Sequence, residues 1–223
     1  WDVRVEKICD TLTENFYEVH LVCRNEKRRP MEDTYHGVAI HRIGLHAWVP
    51  GWANSVATFP AFINPLWLYR IYSLARRHKI QIIIVRDLPM ALAAVAVGRI
   101  CGIPVVLDMA ECYPELIRAV WKFEPVRLIN YLVRNPSFAD WVERLTFRLV
   151  AHTLVVVEEA RDRLIGMGVD KAAITLVGNT PKHDRFVKAA GSFPGGLKVH
   201  QGKFVLMYVG FVNHSRGLDI VIE

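Results

Sequence analysis

Apolar residues recur at helical spacing over residues 3–15, where Val5, Ile8, Cys9 and Leu12 are separated by charged positions. The pattern switches to alternation over 17–23, with Val19, Leu21 and Cys23 on one face. A helix followed by a strand is predicted. Residues 37–43 alternate Val38, Ile40 and Ile43 as a second short strand, and residues 48–67, rich in aromatics, Pro and Gly, carry no regular period. A helix follows over 66–78, closed by Arg76, Arg77 and His78, the cationic end that a helix C-terminus favours. The run Ile-Gln-Ile-Ile-Ile-Val at 80–85 predicts a strand buried on both faces of a parallel sheet. After it come an Ala-rich helix over 89–101, stopped by Gly102 and Pro104, and a strand over 105–107.

Two basic, aromatic helices are predicted over 114–134 and 137–150, then a strand at 153–157, a helix at 159–167 and a strand at 174–177. Short strands alternating with helices predict an α/β fold, an open, mostly parallel sheet with helices on both faces. Residues 188–202 lapse into Gly, Ser, Pro and Lys and are the expected linker. Residues 203–209 resume as a strand and 216–223 start a helix, so three segments are expected: a first α/β domain over 1–187, the linker, and the opening of a second unit over 203–223.

With 52% hydrophobic and 22% charged residues, the 223-residue chain is too apolar for disorder and too regularly interrupted by charge for a membrane span. The longest apolar stretch, 90–107, carries Arg99 and breaks at Gly102 and Pro104. A formal charge of +6 is moderate basicity and points away from nucleic acid. Cys9, Cys23, Cys101 and Cys112 form no CxxC pair and sit in apolar segments, as expected of free thiols in a reducing cytoplasm. Nothing at the start has the form of a signal peptide.

Ligands of open parallel sheets bind beyond the carboxyl ends of the strands, so polar residues just after strands are the candidates for chemistry. They are Asp87, Asp108 and Glu111, Glu158 and Glu159, and Asn179. Carboxylates gathered there can orient sugar hydroxyls, exchange protons or hold a metal; equally, Asp87 and Glu158 are suited to capping helices. Near the end, Val209-Gly210-Phe211 followed by Ser215-Arg216-Gly217 is a strand, a small-residue loop and a helix start, a shape that cradles phosphate. His36, His41 and His46 recur every five residues, which aligns on neither a helix nor a strand face, so no metal is assigned. Neither G-x-S-x-G nor a P-loop is present. The aromatics of 48–67, and those of 114–150 interleaved with Arg, suit contact with an anionic bilayer or ordinary inward packing.

Several segments carry a family likeness: Asp2-x-Arg4-Val5-x-Lys7 ahead of a helix, Tyr17 through Cys23, Arg86-Asp87-Leu88-Pro89, and Ile103 through Glu115 with Asp108-Met109-Ala110-Glu111-Cys112-Tyr113-Pro114-Glu115 at its core. Arg161-Asp162-Arg163-Leu164, Ile174 through Asn179, and Tyr208-Val209-Gly210 with Arg216-Gly217-Leu218-Asp219 complete the series. Collinear over nearly the whole chain, they resemble glycosyltransferases of family 4, the retaining GT-B-fold enzymes that transfer sugars from nucleotide diphosphates.

The resemblance implies a Rossmann-like, acceptor-side half of a GT-B fold that lacks its first strand, followed by a truncated donor-binding half. It implies that Asp108 and Glu111 face the cleft and position the acceptor hydroxyl, that Asp87 braces the loop and that Asn179 lies on the same side. Gly210, Arg216 and Gly217 would meet the donor diphosphate. A nucleotide-diphosphate sugar is the co-substrate, with no further cofactor and no metal required. The acceptor is a saccharide or a lipid-linked saccharide, handled in the cytoplasm at the inner face of the membrane. Ala110 stands where many members carry His, and Phe211 where many carry Arg. The family's downstream Glu-x7-Glu segment, which contacts the donor sugar, is not among these 223 residues, so they are not expected to turn over alone. Two alternatives are a GT-B nucleotide-sugar epimerase and a noncatalytic α/β module that attaches to membranes.

Overall fold

The computed structural model describes residues 2–45, 49–59, 62–123, 135–180 and 207–210. Helix α1 (Val3–Glu14) is capped by Asp2, whose carboxylate accepts from the amides of Arg4 and Val5. It buries Cys9, with Val5, on Val38 and Ile40. Those two belong to β3 (Val38–Ile43), which pairs in parallel with β1 (His20–Arg24) and antiparallel with β2 (Glu32–Tyr35).

Strand β2 was not predicted. Its sequence Glu-Asp-Thr-Tyr is wholly exposed and has no apolar alternation. It is specified by the turn that returns it to β3, in which His36 and Gly37 take φ of 48° and 81°, the left-handed pair that suits a two-residue hairpin.

The segment without a period contains a short helix, α2 (Gly51–Ala57), which buries none of its residues and so has no apolar face to announce it. Helix α3 (Pro65–Arg77) follows, with Asn64 as N-cap, Pro65 in its first turn and the expected basic end. It buries Trp67, Leu74 and Ala75; the Trp67 indole N–H donates to the Thr58 carbonyl at 3.0 Å, so this aromatic packs inward.

The second sheet is all parallel, in the order β4 (Ile83–Arg86), β5 (Val105–Met109), β6 (His152–Val155) and β7 (Ile174–Leu176). Flanking helices are α4 (Ala91–Cys101), α5 (Tyr113–Phe123), α6 (Pro136–Phe147) and α7 (Glu158–Gly166). The main core gathers Val85, Leu107, Val155 and Leu164 with the alanines of α4. The α/β class read from the sequence holds.

The isoleucine run needs correction. Strand β4 starts only at Ile83, and Ile82 and Ile84 are 54% and 40% exposed, because among the described residues β4 pairs with β5 alone and stands at the sheet's edge. The linker at 188–202 and most of the second unit lie outside the described residues. Of the strand expected over 203–209, Met207, Tyr208 and Val209 alone fall within the described residues.

Helix α4 ends at Gly102, which takes φ of 68°, and its last turn lies directly on β5. A Cβ on Gly98 would meet Val105 Cγ2 at 2.5 Å and the Ile103 carbonyl oxygen at 2.7 Å. Gly to Ala inside a helix ordinarily gains about 0.5–1 kcal/mol, but here a backbone atom blocks the methyl. Gly98→Ala is therefore predicted to destabilise by about 1–3 kcal/mol, read as a lower midpoint in urea. A midpoint equal to or above wild type would refute the close approach.

Candidate functional site at the carboxyl edge

Strands β4 and β5 end together, with Arg86 opposite Asp108 in the register, and the Asp87 amide donates to the Asp108 carbonyl at 3.0 Å just beyond. The carboxyl edge thus presents Arg86, Asp87, Asp108 and the Ala110–Glu111 turn at one place. Helix α1 brings its N-terminus to the same edge.

Asp108 does not face the cleft. It is 1% exposed, and Arg4 grips it from α1, with Nε 2.9 Å from both carboxylate oxygens and Nη2 2.5 Å from Oδ1. Arg86 Nη1 adds a contact to Oδ2 at 3.2 Å. The reason lies in the strand: β5 is covered on both sides, so a carboxylate at its end is turned inward and must find cations. Asp108 therefore acts as the anchor of two arginines.

Arg4 extends further. Its Nη1 donates to the Val177 carbonyl at 2.7 Å and to Asn179 Oδ1 at 3.0 Å, which ties the loop after β7 to α1. Lys7, one turn along, donates to the Thr180 carbonyl. Arg86 in turn reaches Asp2 Oδ2 at 3.2 Å and Asp87 Oδ2 at 3.5 Å. One network of ion pairs and charge-assisted hydrogen bonds thus joins the cap of α1 to the ends of β4, β5 and β7. The sequence contained Arg4 and Arg86 within motifs, but their spatial role needs partners that are 104 and 22 residues away.

Asp87 is half-buried, with φ of 56°, and its side chain does not cap the turn that follows. Its Oδ1 instead accepts from the Ala110 amide at 3.0 Å, so it braces the loop after β5. Burial pushes its carboxyl above the ordinary range and the neighbouring Asp108 and Glu111 add to this, against Arg86 and the Ala110 amide. Glu111 is exposed beside it, and Asn179 is exposed at the end of Arg4. Glu158, on the adjacent strand end, opens α7 as a first-turn acid.

Asp87, Asp108 and Asn179 are thus brought together, with Glu111 at the rim. Gly210 is described only within 207–210, exposed and close to the Tyr208 ring, while Arg216 and Gly217 lie outside the described residues. A surface hollow lined by Gly98, Pro104, Val105 and Ala151 opens at the other end of β5, away from these carboxylates.

Among the described residues, the carboxylates Asp2, Asp87, Asp108 and Glu111 stand near three cations, Arg4, Arg86 and Lys7, and burial pushes Asp87 toward its neutral form. Removing one partner of a buried pair leaves the other uncompensated, so Arg4→Met is predicted to cost about 3–5 kcal/mol in urea unfolding. The double variant Arg4→Met/Asp108→Leu should cost less than the two single changes together; strict additivity would count against the pair.

Asp2 supplies a pH test. Burial alone would raise its carboxyl, but the α1 amides and Arg86 outweigh that and hold it below the ordinary carboxylate value. Its contribution is complete above that ordinary value and is lost as pH falls through the depressed one. Asp2→Asn should therefore flatten the acid side of the stability curve, and an unaltered acid limb would contradict this.

No curated protein matches the chain. The family model described as a glycosyl transferase 4-like domain matches residues 2–180, the stretch that runs from the cap of α1 to the loop after β7. The chain therefore belongs to the glycosyl transferase 4-like domain family.

Proposed function

We propose that this chain carries the acceptor side of a retaining glycosyltransferase that takes its sugar from a nucleotide diphosphate. The observation that supports it most is the exposed Glu111 beside the half-buried, protonation-prone Asp87, both at the carboxyl ends of parallel strands. On this reading Glu111, Asp87 and Asn179 orient an acceptor hydroxyl, while Arg4, Arg86 and Asp108 hold the loops that carry them. The donor diphosphate falls to the segment containing Gly210, Arg216 and Gly217, where amides and a guanidinium neutralise it without a metal.

The acceptor is a saccharide, and one carried on a lipid suits a second feature. Trp52 and Val56 on α2 are 73% and 70% exposed, and Arg24, at the end of β1, and Arg28, in the basic loop that follows it, reach toward that helix. Arg24 donates to the Ser55 carbonyl and Arg28 to that of Val49. An apolar tip beside a cationic loop fits an anionic lipid surface. No helix among the described residues is long and apolar enough to cross a membrane, so such contact would be peripheral.

Two experiments test the reading. In the full-length protein, supplied with a panel of nucleotide sugars and saccharide acceptors, Glu111→Gln should lower transfer about a hundredfold. Asp87→Asn should also lower it, yet leave stability at neutral pH equal or higher. A carboxyl raised by burial favours folding at pH below its ordinary value and loses that advantage as pH rises through its folded value, and the amide removes this loss. Transfer undiminished by either change would exclude these residues from the acceptor site. In the second experiment, sedimentation with phosphatidylglycerol vesicles should fall when Trp52 and Val56 are both changed to Ser; equal sedimentation would remove the lipid contact.

A further inference from the structure

Three histidines from three separate elements converge at a place remote from the carboxyl edge. His20 is the first residue of β1, and His41 lies in β3 opposite Val22, two positions along, so both side chains stand on one face of the sheet. His78 ends α3, which packs over β3. The ring centroids of His20 and His78 are 4.1 Å apart, and those of His20 and His41 are 5.2 Å apart. One ring nitrogen from each of the three lies within 4.8 Å of the other two.

The far nitrogens are already committed. His20 Nε2 is 3.0 Å from Glu18 Oε1, and His41 Nδ1 is bonded to Glu32, whose second oxygen is paired with Arg70. An ionised carboxylate only accepts hydrogen bonds, so each of these imidazoles carries its proton on the far nitrogen. The near nitrogens, His20 Nδ1 and His41 Nε2, are then both lone pairs, and they face each other at 2.9 Å. Two such lone pairs require a positive centre beside them, either a further proton or a metal ion.

We propose that His20, His41 and His78 bind a divalent zinc-type ion, with Glu18 and Glu32 as the carboxylates that orient the first two imidazoles. Neutral imidazole is a common zinc ligand, and a carboxylate on its other nitrogen is the usual orienting partner. Tetrahedral zinc with bonds of about 2.0–2.1 Å sets its ligand nitrogens about 3.3 Å apart. To hold the ion the 2.9 Å pair opens by a few tenths of an ångström, the His20 and His41 rings, which meet nearly end-on at an interplanar angle of 16°, turn toward a common point, and His78 closes on it. The cluster occupies the start of β1, whereas the proposed acceptor site lies where β4 and β5 end, so the metal's role is to clamp α3 to the first sheet. This proposal does not depend on the glycosyltransferase reading.

The test uses the full-length protein stripped with chelator and titrated with zinc chloride alone, with cobalt chloride in parallel. One zinc per chain should bind and raise the thermal midpoint, and cobalt should give the visible absorption of a tetrahedral, nitrogen-rich site. His78→Gln, at a helix end, should weaken binding more than a hundredfold and abolish the zinc-dependent shift, and Glu32→Gln should weaken it about ten- to a hundredfold. No saturable uptake by wild type, no tetrahedral cobalt spectrum, or uptake that survives His20→Gln and His78→Gln together would overturn the site and leave a shared proton between His20 and His41. The wild-type spectrum decides the matter even where a variant does not fold.

Discussion

The buried pair between Arg4 and Asp108 is the constraint around which the carboxyl edge is built. A carboxylate with 1% exposure is costly unless it is fully met, and Arg4 meets it with Nε and Nη2 while its remaining nitrogen holds the loop after β7. That one side chain sets the distance between α1, β5 and the loop carrying Asn179. Arg86 completes the arrangement by linking the cap of α1 to Asp87 and Asp108. The exposed groups, Glu111 and Asn179, stand on a frame whose internal charges are already neutralised.

This division of labour explains why an acidic edge can be rigid and still available to a ligand. Asp108, which serves structure, is turned inward and paired, whereas Glu111 at the rim is left to solvent. Asp87 lies between the two conditions: it braces the Ala110 amide, yet burial makes its ionised form unfavourable. A group in that state is suited to exchanging or sharing a proton with a hydroxyl.

The β4–α4–β5 unit was the most legible part of the chain, because β-branched runs, an Ala-rich helix and the Gly102 stop are local signals. The placement of Asp87 and Glu111 after strands followed from the same signals, whereas Asp108, expected just past a strand ending at Leu107, lies inside β5. The inward turn of Asp108 was not legible, since strand spacing cannot distinguish a buried acid from an exposed one when its partner is 104 residues away. Strand β2 was missed because Glu32–Tyr35 has no apolar residue in a core, and α2 because none of its residues is buried. The histidine cluster was hidden for the same reason as the Arg4 network: His20, His41 and His78 meet through strand pairing and helix packing, whereas the eye falls on the regular spacing of His36, His41 and His46.

The central claim, that this edge receives the acceptor of a sugar transfer, is tested most directly by a crystal structure of the full-length protein with acceptor saccharide and nucleotide bound. The account predicts an acceptor hydroxyl within hydrogen-bond distance of Glu111 or Asp87, with the diphosphate away from this acidic cluster and the Arg4–Asp108 pair intact beneath it. A saccharide seated elsewhere, or a diphosphate lying on Asp87 and Glu111, would contradict it.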